Sequence, residues 1–167
     1  MNIERVWAMP NSETFLIKPI KDLLKEEVTK GIWLDPFARN SKVASITNDL
    51  NPNLNTDYHL EATDFLKLFP AEYADGILFD PPYSPRQIKE CYEGIGLHEF
   101  NTKMDFYSKV KDEISRVIKR NGKVISFGWN SMGMCKSRGF EMVKILLVPH
   151  GGAKNDTIVT VEKKVVL

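Results

Sequence analysis

The residues best suited to chemistry form one tetrad, Asp80-Pro81-Pro82-Tyr83, which directly follows an apolar run at residues 76–79. The apolar run predicts a buried strand, so the tetrad begins where that strand ends. The prolines restrict the backbone and help to aim the Pro81 carbonyl oxygen. Two prolines could simply end a strand and start a loop. The order of acid, double proline and aromatic residue behind an apolar strand favours a functional site.

Three further acids occupy comparable places in the sequence. Asp35, Asp49 and Asp64 each come just after an apolar strand or near the end of a short predicted strand. In an open, mainly parallel sheet, ligands bind beyond the carboxyl ends of the strands. Together with Asp80, these acids predict four carboxylates along one edge of the sheet. Four in succession indicate a binding site, whereas one or two would be unremarkable.

The periodicity of apolar residues predicts the elements that position these acids. A helix is predicted within residues 11–30 and ends at Gly31. A short helix capped at Thr63-Asp64 ends at Pro70, and the longest helix, residues 102–120, ends at Asn121-Gly122. Strands are predicted at residues 32–34, 43–47, 76–79, 123–127, 142–148 and 157–161.

Strands that alternate with helices, followed by a terminal strand pair, describe an α/β fold with a mainly parallel sheet and a C-terminal antiparallel hairpin. Residues 1–167 contain no repeat or composition break, so a single domain is expected. Only fourteen positions separate Asp35 from Asp49. A parallel crossover normally takes about a dozen residues or more for its connection alone. We therefore predict that the helix after the first strand is missing or shortened.

Composition places the chain among ordinary globular proteins, with 43% hydrophobic and 27% charged residues. No apolar run is long enough to cross a bilayer, and the first residues lack the features of a signal peptide. A cytoplasmic protein without membrane contact is therefore expected. The net charge of +1 neither supports nor excludes a nucleic-acid partner.

No metal site is predicted. The two cysteines, Cys91 and Cys135, belong to no close pair with ligand spacing and are interpreted as free thiols. The three histidines, His59, His98 and His150, lie far apart in the sequence and also lack that spacing.

The segment ending in Asp80-Pro81-Pro82-Tyr83 resembles the catalytic motif of the amino-methyltransferases, which methylate adenine N6 or cytosine N4. An aromatic amine is a poor nucleophile because its lone pair is delocalised into the ring. The Asp80 carboxylate and the Pro81 carbonyl would accept both amine protons and stabilise the positive charge that develops. Tyr83 would stack on a base rotated out of its helix. The resemblance implies a Rossmann-like class I methyltransferase domain.

The resemblance extends over nearly the whole chain and implies S-adenosylmethionine as the cofactor. The N-terminal segment around Phe15 and Lys18 is similar to the one that packs over the methionine end of the cofactor, although a helix lead-in explains it equally well. Asp35-Pro36-Phe37 resembles the family's cofactor loop. Asp49 stands where family members place an acid on the ribose hydroxyls, and Asp64-Phe65 stands where an acid meets the cofactor's adenine amine.

The cofactor loop departs from the family pattern. After Asp-Pro-Phe-x the family usually has Gly-x-Gly, but Arg39 and Ser41 occupy those places. Glycine permits tight turns with positive φ close to a ligand. Asn40 tolerates a left-handed conformation better than most residues, but less well than glycine. We therefore expect an open cofactor pocket that binds weakly without a substrate or partner.

The residues after the tetrad are candidates for substrate contact. In the family this region forms a mobile loop over the target, so Arg86 and Lys89 are predicted to contact phosphates. Trp129 follows the strand at 123–127 and is predicted to line the base pocket, with a role in the core or rim as the alternative. Residues 149–156 are interpreted as an ordinary turn, with contact to the substrate as the alternative.

An acid at the head of the tetrad favours adenine over cytosine, where serine often leads, and over protein glutamine, where asparagine leads. Methylation of adenine N6 in DNA is the first hypothesis, RNA is the nearest alternative, and free nucleotides are less favoured. A retired module that binds nucleic acid or a partner subunit is the alternative from another class. We expect no separate target-recognition domain within residues 1–167. We therefore expect weak specificity, a homodimer, a specificity partner, or a target smaller than duplex DNA.

Overall fold

The computed structural model describes residues 1–96 and 105–166, which contain one seven-stranded sheet and four α-helices. The strands are β1 (Asn2–Arg5), β2 (Trp33–Asp35), β3 (Ile46–Thr47), β4 (Ala74–Phe79), β5 (Ile118–Gly128), β6 (Phe140–Val148) and β7 (Thr157–Lys164). The helices are α1 (Lys18–Glu27), α2 (Ala62–Lys67), α3 (Pro85–Gly94) and α4 (Asp105–Val117).

The strand order is β1-β6-β7-β5-β4-β2-β3. Only β7 runs antiparallel to its neighbours, β5 and β6, and every other pair is parallel. Six strands therefore point the same way and share one carboxyl edge. The predicted α/β class, with a mainly parallel sheet and a C-terminal antiparallel pair, is confirmed.

The sheet has an apolar core on each face because β4 is buried on both sides. Successive side chains of a strand point to opposite faces, and Ile77 and Leu78 accordingly belong to different clusters. The Ile77 cluster is covered by the apolar stripes of α2 and α4, and the Leu78 cluster by that of α1. This double layer explains why β4 reads as a continuous apolar run.

No helix lies between β2 and β3, where the chain makes only turns and bends. The buried Asn48 stabilises this connection instead. Its amide nitrogen donates to the carbonyl oxygens of Pro36 (3.1 Å) and Leu60 (2.9 Å), and its amide oxygen accepts from the Leu60 N–H (3.0 Å). The prediction of a missing helix after the first buried strand is confirmed.

The predicted end of the longest helix is wrong. Helix α4 ends at Val117 because the carbonyl oxygens of Arg116 and Val117 accept from the N–H groups of Glu72 and Tyr73. The chain then enters β5, and Asn121-Gly122 lies at an irregularity of that strand, not at a helix end. Residues 102–104 of the predicted helix lie outside the described residues.

Other boundaries also differ from the prediction. Helix α2 begins at Ala62, with Glu61 and not Thr63-Asp64 at its N-cap. Strand β3 is only two residues long because the Ser45 hydroxyl, and not a backbone ladder, bonds the Trp33 backbone. Strand β1 was not predicted because all its residues are exposed and show no alternation. In the part of the chain that the structure describes, no helix is long and apolar enough to span a membrane.

Candidate active site

An open cleft of about 920 Å³ lies at the carboxyl edge of the sheet. The residues after β2, β3, β4 and β5 line it, together with the N-terminal segment at residues 10–14 and the turn before β7. This is the edge at which the sequence predicted the site. All four residues of the tetrad line the cleft.

Asp80 comes directly after β4, and its Oδ1 accepts a hydrogen bond from the Tyr83 hydroxyl at 2.6 Å. Burial raises the pKa of Asp80 to about 6, although the Tyr83 hydrogen bond, the Arg39 charge and the Thr14 hydroxyl oppose this rise. Burial and the adjacent Asp80 charge raise the pKa of Tyr83. At neutral pH the site therefore holds a mostly ionised carboxylate beside a neutral phenol.

The backbone of the tetrad is fixed by two neighbouring side chains. The Tyr83 N–H donates to Gln87 Oε1 at 2.6 Å, and the Tyr107 hydroxyl donates to the Pro82 carbonyl oxygen at 2.6 Å. Within residues 1–96 and 105–166, no protein donor is found for the Pro81 carbonyl oxygen. The tetrad thus offers one carboxylate and one rigid carbonyl acceptor to the cleft.

The expectation of a loop after the tetrad is wrong, because α3 begins there. Ser84 is its N-cap, with its side chain accepting from the Gln87 N–H, and a proline occupies the first turn. Arg86 and Lys89 lie on the exposed side of α3, and each forms an ion pair with a glutamate four residues further on. Neither basic residue lines the cleft. Their predicted phosphate contacts stay a prediction.

Asp35 is fully buried at the end of β2. Its Oδ1 accepts from the Phe37 N–H at 3.1 Å, whereas no donor to Oδ2 is found among the residues that the structure describes. Burial raises the pKa of Asp35 well above its usual value, and the nearby charges of Asp80 and Asp49 raise it further. Three of the four predicted acids are therefore close enough to interact at one edge.

Asp49 and Arg39 connect the segment after β3 with the loop after β2. Asp49 Oδ2 accepts from the Arg39 N–H at 3.0 Å, and its Oδ1 accepts from the Asn51 N–H at 2.9 Å. Arg39 stands in a glycine position of the family pattern and has a positive φ of 51°. Its guanidinium donates to the Ser12 carbonyl oxygen at 2.7 Å. The loop therefore keeps the turn that glycine would favour.

Of the remaining residues predicted to bind the cofactor, some line the cleft and others do not. Pro36 and Phe37 line the cleft, and the Phe37 ring packs against other aromatic rings. Phe15 packs on Phe127, with ring centroids 4.7 Å apart, and does not line the cleft. Lys18 is exposed and pairs with Asp22 at 2.9 Å.

Asp64 and Phe65 do not reach the cleft. Asp64 is exposed on α2, and the Phe65 side chain is fully buried in the core. Glu61 lines the cleft instead, and its Oε2 accepts a hydrogen bond from the Tyr92 hydroxyl. Because α2 begins earlier than predicted, the acid before the helix faces the cleft, and the acid within it does not.

Trp129 lines the cleft with 41% of its surface exposed, and its ring meets Tyr83 edge-on at a centroid distance of 5.5 Å. His150 was missed as a structural residue. Its ring nitrogens contact the Ala8 carbonyl oxygen (2.8 Å) and the Thr157 hydroxyl (2.7 Å), which ties the N-terminal segment to the cleft wall. The contact with Ala8 spans 142 positions, so no local sequence pattern indicates this role.

No cluster of candidate metal ligands occurs in the described residues, which leave out His98. His59 contacts Thr56 and the backbone of Asp49, so it has a local structural role.

No protein-family model matches the sequence, and no curated protein matches it. Solved structures do match its fold. TrmN from Thermus thermophilus aligns with 17% identity and a TM-score of 0.61 over 90% of this chain and 49% of its own, so this chain spans about half of it. The 1,6-didemethyltoxoflavin-N1-methyltransferase of Burkholderia thailandensis was solved with S-adenosylhomocysteine. It aligns with 14% identity and a TM-score of 0.60 over 89% of this chain and 78% of its own.

The N-methyltransferase NodS from Bradyrhizobium japonicum aligns with 13% identity and a TM-score of 0.58 over 89% of this chain and 96% of its own. At these identities the likeness concerns the fold. The chain has the Rossmann-like fold of these methyltransferases.

Proposed function

We propose that this protein transfers a methyl group from S-adenosylmethionine to the exocyclic N6 amine of adenine in a nucleic acid, with DNA as the first candidate. The observation that carries the proposal is the tetrad at the end of β4. Its Asp80 carboxylate and Pro81 carbonyl face a cleft whose wall includes Tyr83 and Trp129. RNA is the second candidate substrate.

The donor set suits S-adenosylmethionine. A cleft of about 920 Å³ is within the usual range for small-molecule sites. Asp49 offers acceptors for ribose hydroxyls, and Phe37 offers an apolar ring. Glu61 adds a further acceptor to the lining, whereas Asp35 is fully buried and does not line the cleft. When bound, the cofactor supplies an electrophilic methyl group on a positively charged sulfur.

Asp80 and the Pro81 carbonyl activate the amine. Above pH 6 the Asp80 carboxylate is mostly ionised and accepts one amine proton, while the Pro81 carbonyl oxygen accepts the other. These two bonds draw the nitrogen lone pair out of the ring and stabilise the positive charge that develops on nitrogen. Once the new N–C bond has formed, Asp80 is the base within reach of the surplus proton. A pKa near the working pH suits this role.

Tyr83 supplies a surface for the base. Its ring meets Trp129 edge-on, and its hydroxyl bonds Asp80 at 2.6 Å. An adenine rotated out of its strand could stack on an aromatic ring here and share the Asp80 carboxylate with the hydroxyl. Sequence recognition would come from a second copy of the chain or from a specificity subunit.

A catalytically retired binding module is the alternative from another class. Arg39 in a glycine position and the absence of a helix between β2 and β3 favour it. Two results separate the functions: calorimetric binding of S-adenosylmethionine, and transfer of tritiated methyl groups to DNA, RNA and nucleotides. We expect binding, together with transfer that depends on Asp80. Failure to bind, even with nucleic acid present, would overturn the proposed enzyme function.

A further inference from the structure

Arg39 has a backbone conformation that arginine rarely adopts. Its φ of 51° lies in the left-handed region, and its N–H is held by Asp49 Oδ2 at 3.0 Å. A left-handed backbone costs free energy for any residue with a Cβ, whereas glycine adopts it freely. An arginine at this place gives the cleft a side chain that glycine would lack.

The Arg39 guanidinium has N–H donors without a partner among the described residues. Its Nη1 donates to the Ser12 carbonyl oxygen at 2.7 Å, and the side chain lines the cleft. For its Nε and Nη2 groups no protein acceptor is found in residues 1–96 and 105–166. A guanidinium presents its N–H groups in a planar fork that suits a carboxylate.

The cleft is otherwise acidic. Its lining within the described residues includes five carboxylates and two cations. The carboxylates are Glu13, Asp49, Glu61, Asp80 and Glu90, and the cations are Arg39 and Lys154. Such a lining attracts the positive charges of S-adenosylmethionine but repels its one carboxylate, which needs a cation or a row of N–H donors. A helix beginning after β2 could offer such N–H donors at its N-terminus, but residues 36–45 contain no helix.

Arg39 lines the same cleft as Asp49 and Asp80 and interacts with both. Its backbone bonds Asp49, which is the proposed ribose partner. Its charge acts on Asp80, which is the proposed partner of the amine. In S-adenosylmethionine the sulfur connects the ribose carbon, the methyl group and the amino-acid chain. The carboxylate branch thus leaves the sulfur between the ribose and the methyl group, and Arg39 is the cation of the described lining that interacts with both Asp49 and Asp80.

From this geometry we propose that the Arg39 guanidinium binds the carboxylate of the cofactor's methionine part and so replaces the N–H donors of the missing helix. The inference rests on the proposed cofactor. It also assigns a function to the residue that departs most from the family pattern. The bond to Ser12 would at the same time hold the N-terminal segment over the bound amino-acid chain.

Calorimetry with two ligands tests the assignment. S-adenosylmethionine and its decarboxylated form differ only in the carboxylate. We expect the wild type to bind S-adenosylmethionine about tenfold or more tightly than the decarboxylated form. In Arg39→Gly, which suits the positive φ, this preference should fall to one or below, while Arg39→Lys should keep part of it. Lys154→Gln, which removes the other cation in the lining, should leave the preference unchanged.

The preference is the ratio of the two ligand affinities measured on the same variant. A substitution that weakens both ligands equally therefore leaves this ratio unchanged. An unchanged preference in Arg39→Gly, or its loss in Lys154→Gln, would overturn the assignment to Arg39. If the wild type bound neither ligand, even with nucleic acid added, the proposed function itself would fail. Thermal melting of the ligand-free variants verifies that each is folded.

Discussion

Two loops at the carboxyl edge of the sheet are held in different ways. The tetrad loop, residues 80–84, follows β4, a six-residue strand with apolar cores on both faces. The cofactor loop, residues 36–45, joins β2 and β3, which are only three and two residues long. Two rigid prolines and bonds from Gln87 and Tyr107 fix the tetrad loop, whereas Asn48 and Asp49 hold the cofactor loop through individual side-chain bonds.

The difference shows what replaces a missing helix. In the cofactor loop, buried polar side chains satisfy backbone groups that a longer crossover would pair within a helix. Asn48 makes one such bond to the Pro36 carbonyl oxygen, and two further bonds to the backbone of Leu60. A buried network of this kind is stable only while every member is present. The tetrad loop has the support of the hydrophobic core and should tolerate the loss of one bond. We therefore expect the cofactor half of the site to be the more fragile one.

The largest expected effect follows Asn48→Ala. The change leaves the Leu60 N–H and the Pro36 carbonyl oxygen without their partner inside the protein. We expect the free energy of unfolding to fall by about 2–4 kcal/mol and cofactor affinity to fall with it. Denaturant unfolding and calorimetry measure the two effects. Unchanged cofactor affinity in a folded Asn48→Ala protein would contradict the fragility of this loop.

A pH profile examines the other half of the site. Because burial raises the pKa of Asp80 to about 6, its carboxylate becomes protonated below that pH and would no longer accept a proton from the proposed amine substrate. We expect kcat/KM for methyl transfer to fall about tenfold per pH unit below pH 6 and to level off above it. Cofactor affinity, measured in parallel, should change less over the same range. A profile that is flat between pH 5 and pH 7, within about a unit of the pKa, would argue against Asp80 as the essential base.

The smallest expected effect is that of Tyr107→Phe. This change removes only the bond to the Pro82 carbonyl oxygen and keeps the ring. Since prolines and β4 still restrain the tetrad, we expect kcat to fall only a few-fold, with no change in cofactor affinity. Steady-state kinetics and calorimetry give the two numbers. A loss of cofactor affinity as large as that of Asn48→Ala would show that the two loops do not differ in fragility.

The features that could be predicted are those encoded by residues close together in the sequence. The tetrad is contiguous and follows an apolar strand, so both its identity and its place at the sheet edge could be predicted. The missing helix followed from the short distance between Asp35 and Asp49. By contrast, a boundary shift in α2 brings Glu61 to the cleft and leaves Asp64 exposed. Helix boundaries depend on tertiary contacts, and these are hard to infer from sequence spacing.

Residues that act over long separations could not be predicted. The sequence shows Arg39 only as a departure from glycine, and its partner Ser12 lies 27 positions away. His150 forms a hydrogen bond with Ala8, which lies 142 positions away, and no local sequence pattern predicts such a bond. Strand β1 lacks the alternation that predicts a strand, because it pairs at an exposed sheet edge. Each of these features depends on the assembled sheet.

In the proposed reaction, Asp80 activates an adenine amine. The direct measurement is single-turnover transfer of a labelled methyl group to adenine-containing DNA and RNA by the wild type and by Asp80→Asn, with the product located by mass spectrometry. Asp80→Asn should be folded. In the wild type, ionisation of the buried Asp80 carboxylate destabilises the folded protein as the pH rises through 6, because its pKa is raised. Asparagine carries no charge, so the free energy of unfolding of the variant at pH 8 should be about 1–2 kcal/mol higher than that of the wild type. We expect N6-methyladenine from the wild type and a rate at least about a hundredfold lower from the variant. Equal rates, or a methyl group on another atom, would contradict the claim.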